Sequence, residues 1–184
     1  EGLDTVLDTV MEAPAFYRWL KEVYNDIFLS NAYADGSKAI DLLSEQDFPK
    51  KNWHQACNAN VVANCAVEEY KTKAPLYTNW SVSQDALELV VHVVRQDLPF
   101  TEILTADYMM VNPYSAQTYG VTNVFFNSPI DETEFRPAKV VLAGGPDGQP
   151  IPYPHAGVLT SPMWLHRFPT TDTNVNRHRA RMVY

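Results

Sequence analysis

Apolar residues recur at helical spacing along the first part of the chain. Over residues 14–30 one apolar stripe repeats every three to four positions, and a second stripe runs beside it. The first stripe consists of Phe16, Leu20, Val23 and Ile27, and the second of Tyr17, Tyr24 and Phe28. Pro14 suits a first helical turn, where its missing N–H costs nothing. The pattern predicts this helix and a shorter one before it over residues 3–11.

The densest apolar segment predicts a helix at the centre of the fold. Ser81 and Gln84 have capping-box spacing, so we expect this helix to begin there and to cover residues 85–96. Apolar side chains cover most of its circumference. The remaining face carries Asp85, Glu88, His92, Arg95 and Gln96. A helix of this kind is buried on most sides.

Shorter helical segments surround it. Residues 38–43, 99–106 and 113–119 have the composition of short helices, and Gly120 suits a left-handed cap after the last of them. Residues 34–37 are typical of a turn. The pattern over residues 55–70 fits either a helix or an Asn-rich irregular stretch.

The pattern of apolar residues and prolines changes after Gly120. Residues 121–126 and 135–142 cluster like short strands, and residues 144–148 are typical of a turn that joins two strands. Proline is dense near residues 151–154, which we expect to be extended and exposed. Thr160, Ser161 and Pro162 indicate the start of a helix, and residues 176–184 read as another.

These elements predict a mainly α protein. Its helical, bundle-like body would occupy residues 1–120. Residues 121–184 would add a small β-hairpin and an irregular Pro-rich segment before two C-terminal helices. We expect this second part to pack on the first and to continue beyond residue 184 in the native protein, because the final apolar run carries no stop signal.

Composition narrows the range of partners. Of 184 residues, 46% are hydrophobic and 20% charged, which is typical of a globular domain. The net charge of −8 and the scattered basic residues argue against nucleic acid and membrane surfaces as partners. No apolar run approaches the roughly 18 to 20 residues that a membrane span needs.

The two cysteines, Cys57 and Cys65, are candidates for a disulfide. Eight residues on a straight helix span about 12 Å, beyond the roughly 7 Å over which two Cα atoms can be bridged. A disulfide therefore requires a bend, which Asn58, Asn60 and Asn64 permit. Two free buried thiols are the alternative.

No complete catalytic constellation is visible in the sequence. There is no Cys-x-x-Cys-His haem motif, zinc-binding spacing or Gly-x-Ser-x-Gly elbow. His155 lies between Pro154 and Ala156-Gly157, where a rigid loop would hold its ring for a structural or a ligand role. Asp172 and Asn174 could contribute to a weak calcium site.

Two groups of sequence strings resemble a known pair of domains. The first group comprises LPFTEILTADY at residues 98–108, VNP at 111–113 and YG at 119–120. It resembles a domain of unknown function from large planctomycete-type cytochrome c proteins. The second comprises HAGVLTSP at 155–162, PTT at 169–171 and NR at 176–177, and it resembles the domain that follows. The resemblance spans nearly the whole chain.

The resemblance implies an exported protein, periplasmic or extracellular, whose haem c sites lie in other segments. This chain has no covalent haem site of its own. Its partners would then be other domains or chains of the same assembly, and its role that of a non-catalytic structural or docking module. Four side chains are candidates for contact with a haem carried elsewhere: His155, Met109, Met110 and Met163.

Two further hypotheses stay open at this point. A secreted hydrolase or carbohydrate-binding domain predicts a cleft lined by exposed Trp53, Trp80 or Trp164 with nearby carboxylates. A self-assembling surface or filament subunit is the other.

Overall fold

The computed structural model of the chain describes residues 2–35, 38–170, 173 and 180–181, and it confirms a mainly α fold with a small β part. The described helices are α1 (Gly2–Glu12), α2 (Pro14–Phe28), α3 (Ala32–Asp35), α4 (Glu68–Arg95), α5 (Glu102–Thr105), α6 (Ser115–Tyr119) and α7 (Pro162–Arg167). Among the same described residues, single 3₁₀ turns lie at Ala39–Leu42, Trp53–Ala56, Ala63–Ala66 and Pro146–Gly148. The predicted helix over residues 176–184 falls largely outside the described residues.

Helix α4 is the centre of the fold, and α2, α3, α5, α6, α7 and the strand β1 (Met109–Val111) all contact it. Apolar side chains of its second half pack on α2 and α7, and those of its first half pack on α6 and the disulfide loop. The central position predicted for residues 85–96 is therefore confirmed. None of the described helices combines the length and apolar character that crossing a membrane would require.

The predicted start of this helix at Ser81 is wrong. The helix begins at Glu68, and Pro75 lies inside it without ending it. Ser81 is buried in mid-helix, where its hydroxyl donates to the Tyr77 carbonyl and accepts from the Asn112 side chain at 2.7 Å. Tertiary packing of the early turns, in which Tyr70 is fully buried, outweighs the local preference of proline to end a helix.

Asn112 connects three parts of the chain. Its side-chain oxygen accepts from the amides of Tyr114 and Ser115, which starts α6, while its amide group donates to Ser81 and to the Glu132 carbonyl. Helix α6 ends at Gly120, whose φ of +70° is the predicted left-handed cap.

In the part of the chain that the structure describes, four short strands form two antiparallel pairs. Strand β1 pairs with β2 (Arg136–Ala138), with Met110 opposite Pro137. Strand β3 (Val141–Leu142) pairs with β4 (Ile151–Pro152) across the predicted turn, and the extended, exposed character of β4 is confirmed. The strand expected over residues 121–126 is wrong: the chain there leaves α6 in irregular backbone, and β1 pairs with β2 instead.

The predicted disulfide between Cys57 and Cys65 is confirmed, with the two Cα atoms 5.6 Å apart. The segment bends between its two 3₁₀ turns because the Asn58 carbonyl accepts from the amides of Val61 and Val62. The Asn58 side chain also accepts from the Asn60 amide. The irregular alternative for this stretch is therefore the correct one.

Candidate functional site

The three candidate methionines all lie in the core. Met109 and Met163 belong to one buried cluster, and Met110 belongs to the cluster between α2 and α4. Contact between any of them and a group outside the chain requires that side chain to leave the core. The structure thus brings two of the three together, in an environment typical of methionine as a packing residue.

His155 is half-buried, and one of its two ring nitrogens, Nε2, is engaged in a hydrogen bond. Its Nε2 accepts a hydrogen bond from the Val140 amide at 3.1 Å, and its ring packs against Tyr153 at a centroid distance of 5.0 Å. Burial is the main cause that lowers the pKa of His155. The ring is therefore neutral near pH 7, with its proton on Nδ1. Coordination of a metal through Nε2 requires the bond to Val140 to break.

The loop that follows His155 is rigid because Gly157 lies against another segment. Its φ is +52°, and its amide donates to the Ala106 carbonyl at 2.9 Å. A Cβ at this position would overlap the Ile103 carbonyl. A glycine is therefore required to bring the loop onto the end of α5.

A buried carboxyl group lies on the other side of His155. Asp85 of α4, His155, Met109 and Ser161 line a small cavity of about 10 Å³, the space that one water molecule needs. Asp85 is only 2% exposed. Its two oxygens accept from the Ala86 amide at 2.6 Å and from the Tyr119 hydroxyl at 3.3 Å.

Burial raises the pKa of Asp85 to about 7, against the partial opposition of its two hydrogen bonds. Burial and the nearby Asp85 carboxyl also raise the pKa of Tyr119. This centre can therefore hold a proton at neutral pH. The Ser161 hydroxyl, which also lines the cavity, caps α7 by accepting from the Trp164 amide at 3.2 Å.

Sequence reasoning missed Asp85 because it assigned the residue to the polar face of a helix. Helix α4 does have this polar side, but Tyr119 and the segment around His155 cover its N-terminal end. The sequence contains no signal of this cover, since the residues that provide it lie more than 30 positions away.

The proposed calcium ligands Asp172 and Asn174 lie outside the described residues. Within the part of the chain that is described, no group of three or more His, Cys, Asp or Glu side chains could hold a metal ion.

The tryptophans expected to line a cleft do not come together in one. Trp164 is buried against Phe28 and Phe168. Trp53 packs on Tyr70, and Trp80 packs on Phe135. The strongly exposed tryptophan is instead Trp19 of α2, at 57%.

Trp19 belongs to a set of exposed apolar side chains on two consecutive helices, which we call the N-terminal face. It consists of Leu3, Val6, Leu7, Val10 and Met11 of α1 and Trp19, Val23 and Ile27 of α2. Each of these side chains is more than 40% exposed, and Leu3 reaches 71%. Helix α1 contains no buried residue, whereas α2 buries Leu20 and Phe28 against α4. The second stripe of α2, rather than the first, therefore supplies most of its core contacts.

Comparison with known protein families gives a match over part of the chain. Residues 46–121 match a family model described as PSD4: Protein of unknown function (DUF1592). No curated protein and no solved structure matches the chain. The matched segment, which is less than half of the chain, contains the disulfide, α4 and the string at residues 98–108. This match supports the resemblance of residues 46–121 to a domain of unknown function.

Proposed function

We propose that this chain is a non-catalytic docking module of an exported, cytochrome c-like multidomain protein. Its N-terminal face would contact another domain or chain of the same assembly, and haem c would be held by those other segments. Of the four candidate haem-contact residues, His155 is the one that lies at the surface of the core rather than inside it.

The N-terminal face is the observation that carries this proposal. Eight large apolar side chains on two consecutive helices are each more than 40% exposed, and a concentration of exposed apolar residues, unlike single scattered ones, marks interaction sites. Covering one Leu or Val side chain fully is worth about 1.5–3 kcal/mol. A partner that covers the face therefore gains enough free energy to offset the cost of association.

The compartment in the proposal follows from the disulfide. Disulfides such as Cys57–Cys65 persist in oxidising environments and are rare in the cytosol. This supports a location outside the cytoplasm, and the resemblance at residues 98–108 and 155–162 favours an exported multidomain protein.

Site-specific photo-crosslinking in the native protein tests the proposal. Benzoylphenylalanine would replace Leu7 or Trp19 in the face, and Phe125 as the control. Phe125 is 86% exposed and lies outside the face. We expect the probes at positions 7 and 19 to cross-link to peptides of a haem-bearing segment, and the purified native protein to show a Soret band.

Comparison with the probe at position 125 identifies the results that would contradict the proposal. Cross-linking at positions 7 and 19 that does not exceed that at position 125 would overturn the docking role. Cross-linking to a partner in native material without a Soret band would retain docking and remove the cytochrome assignment.

A further inference from the structure

Carboxylates border the N-terminal face on both of its helices. On α1, Asp4, Asp8 and Glu12 follow each other at intervals of four residues, so they form one row along the edge next to Met11. On α2, Glu22 and Asp26 directly precede Val23 and Ile27 of the outward stripe, so they lie along the opposite flank of that stripe. All five are exposed.

Few cations balance these carboxylates. The described part of α1 has no basic residue, and α2 has only Arg18 and Lys21. Lys21 is held away from the face, because its ammonium group pairs with Glu88 of α4 at 2.7 Å. None of the five carboxylates takes part in an ion pair among the described residues. The border of the face is therefore strongly acidic.

We infer that the partner of the N-terminal face is a protein surface with an apolar groove bordered by Lys and Arg side chains. This inference rests on the proposed docking function and specifies the chemistry of its partner. A second copy of this chain would bring rows of carboxylates together, and an anionic lipid surface would repel them. A cationic border instead complements the row on α1 and accelerates the encounter.

Two synthetic amphipathic helical peptides with the same apolar residues test this inference. One carries Lys beside its apolar stripe and the other carries Glu. Binding of each labelled peptide to the 184-residue chain is followed by fluorescence anisotropy at low salt and at about 0.5 M NaCl, where charges are screened beyond a few ångströms. We expect the Lys peptide to bind about tenfold more tightly at low salt. The difference should shrink in high salt.

Two variants separate the apolar contribution from that of the charges. In the first, Asp4→Asn, Asp8→Asn and Glu12→Gln are combined; it should bind both peptides with similar affinity. In the second, Leu7→Ser and Val10→Ser are combined; it should bind neither. A control variant removes three exposed carboxylates elsewhere through Asp41→Asn, Glu68→Gln and Asp147→Asn. It should keep the preference for the Lys peptide, which shows that the effect does not arise from net charge alone.

The outcomes distinguish failure of the inference from failure of the docking function. Equal binding of both peptides, abolished by the Leu7 and Val10 changes, overturns the cationic border and leaves docking intact. Self-association in sedimentation experiments that the same changes abolish overturns it in favour of a second copy. Adsorption to phosphatidylcholine vesicles at a comparable level overturns it in favour of a lipid surface. Absence of binding by either peptide, together with absence of native cross-links, overturns the docking function itself.

Discussion

Replacing Asp85 with Asn should make the protein more stable at alkaline pH, although it removes an acidic residue from a hydrogen-bonded site. Asn keeps the shape of the side chain and the acceptor for the Ala86 amide. The Tyr119 hydroxyl can rotate to accept from the new amide group. What the variant loses is the ability to ionise inside the core.

The size of the effect follows from the pKa of the buried carboxyl. A tenfold change in an acid dissociation constant corresponds to about 1.4 kcal/mol. A rise from 3.8 in the unfolded chain to about 7 in the folded protein thus lowers the free energy of unfolding by roughly 4 kcal/mol at most. Water that enters on ionisation reduces this value. We therefore expect Asp85→Asn to raise the free energy of unfolding by roughly 2–4 kcal/mol at pH 8.

The effect of Asp85 ionisation on the free energy of unfolding depends on pH. Below about pH 3.8 the carboxyl is protonated in both states, so its ionisation contributes nothing. Between pH 3.8 and 7 the unfolded chain ionises while the folded protein keeps its proton, so stability falls as pH rises. Above pH 7 the full cost is present. The difference between variant and wild type should therefore grow from pH 4 to pH 8.

Urea unfolding at pH 4, 5, 6, 7 and 8, with the disulfide intact, measures this difference. Asp107→Asn serves as a control of opposite sign. The exposed Asp107 pairs with Lys139 at 2.6 Å, and this hydrogen bond lowers the pKa of Asp107. Its loss should destabilise the protein by a similar amount from pH 5 to 8, because the stabilisation is lost only as pH falls below about 3.8, through the lowered pKa of Asp107. If the free energies of wild type and Asp85→Asn run parallel from pH 4 to 8, then Asp85 is not the buried proton-binding group described above.

Two further predictions concern the disulfide and the glycine that follows His155 in the loop. Reducing the Cys57–Cys65 disulfide, which closes a short loop, should lower the free energy of unfolding by roughly 2–3 kcal/mol; urea titrations with and without a reductant measure this. Gly157→Ala should cost more than about 3 kcal/mol, because the new Cβ overlaps the Ile103 carbonyl at a positive φ. Gly148→Ala should cost only about 1 kcal/mol, because Gly148 has a positive φ but open space around it. Equal losses of melting temperature in the two alanine variants would contradict the steric explanation.

Local signals in the sequence were sufficient wherever one turn decides the structure. Gly120 ends α6 in the left-handed conformation, Ser161 and Pro162 start α7, and the turn before Ile151 joins two strands. Each of these depends on the backbone preference of one or two residues. The same holds for the disulfide, since asparagines between the cysteines supply the bend.

The sequence was misleading wherever distant residues decide the structure. Ser81 has the spacing of a cap, yet α4 begins thirteen residues earlier because Tyr70 and Ala74 bury their side chains beside the disulfide and Tyr114. The segment after Gly120 is apolar enough for a strand, but β1 pairs with β2 instead. Local preference is a small free energy compared with burial of an aromatic side chain, so it yields in both cases.

The N-terminal face shows that the spacing of apolar residues predicts an apolar side of a helix but not what covers it. An apolar stripe indicates that one side of a helix is buried, but it does not identify whether the same chain or a partner buries it. In α2 the stripe containing Phe28 meets α4, while Trp19, Val23 and Ile27 repeat just as regularly and meet solvent. Only the fold shows which of the two stripes α4 buries, so under the proposed docking role the cover of α1 and of the outer side of α2 comes from outside the part of the chain described.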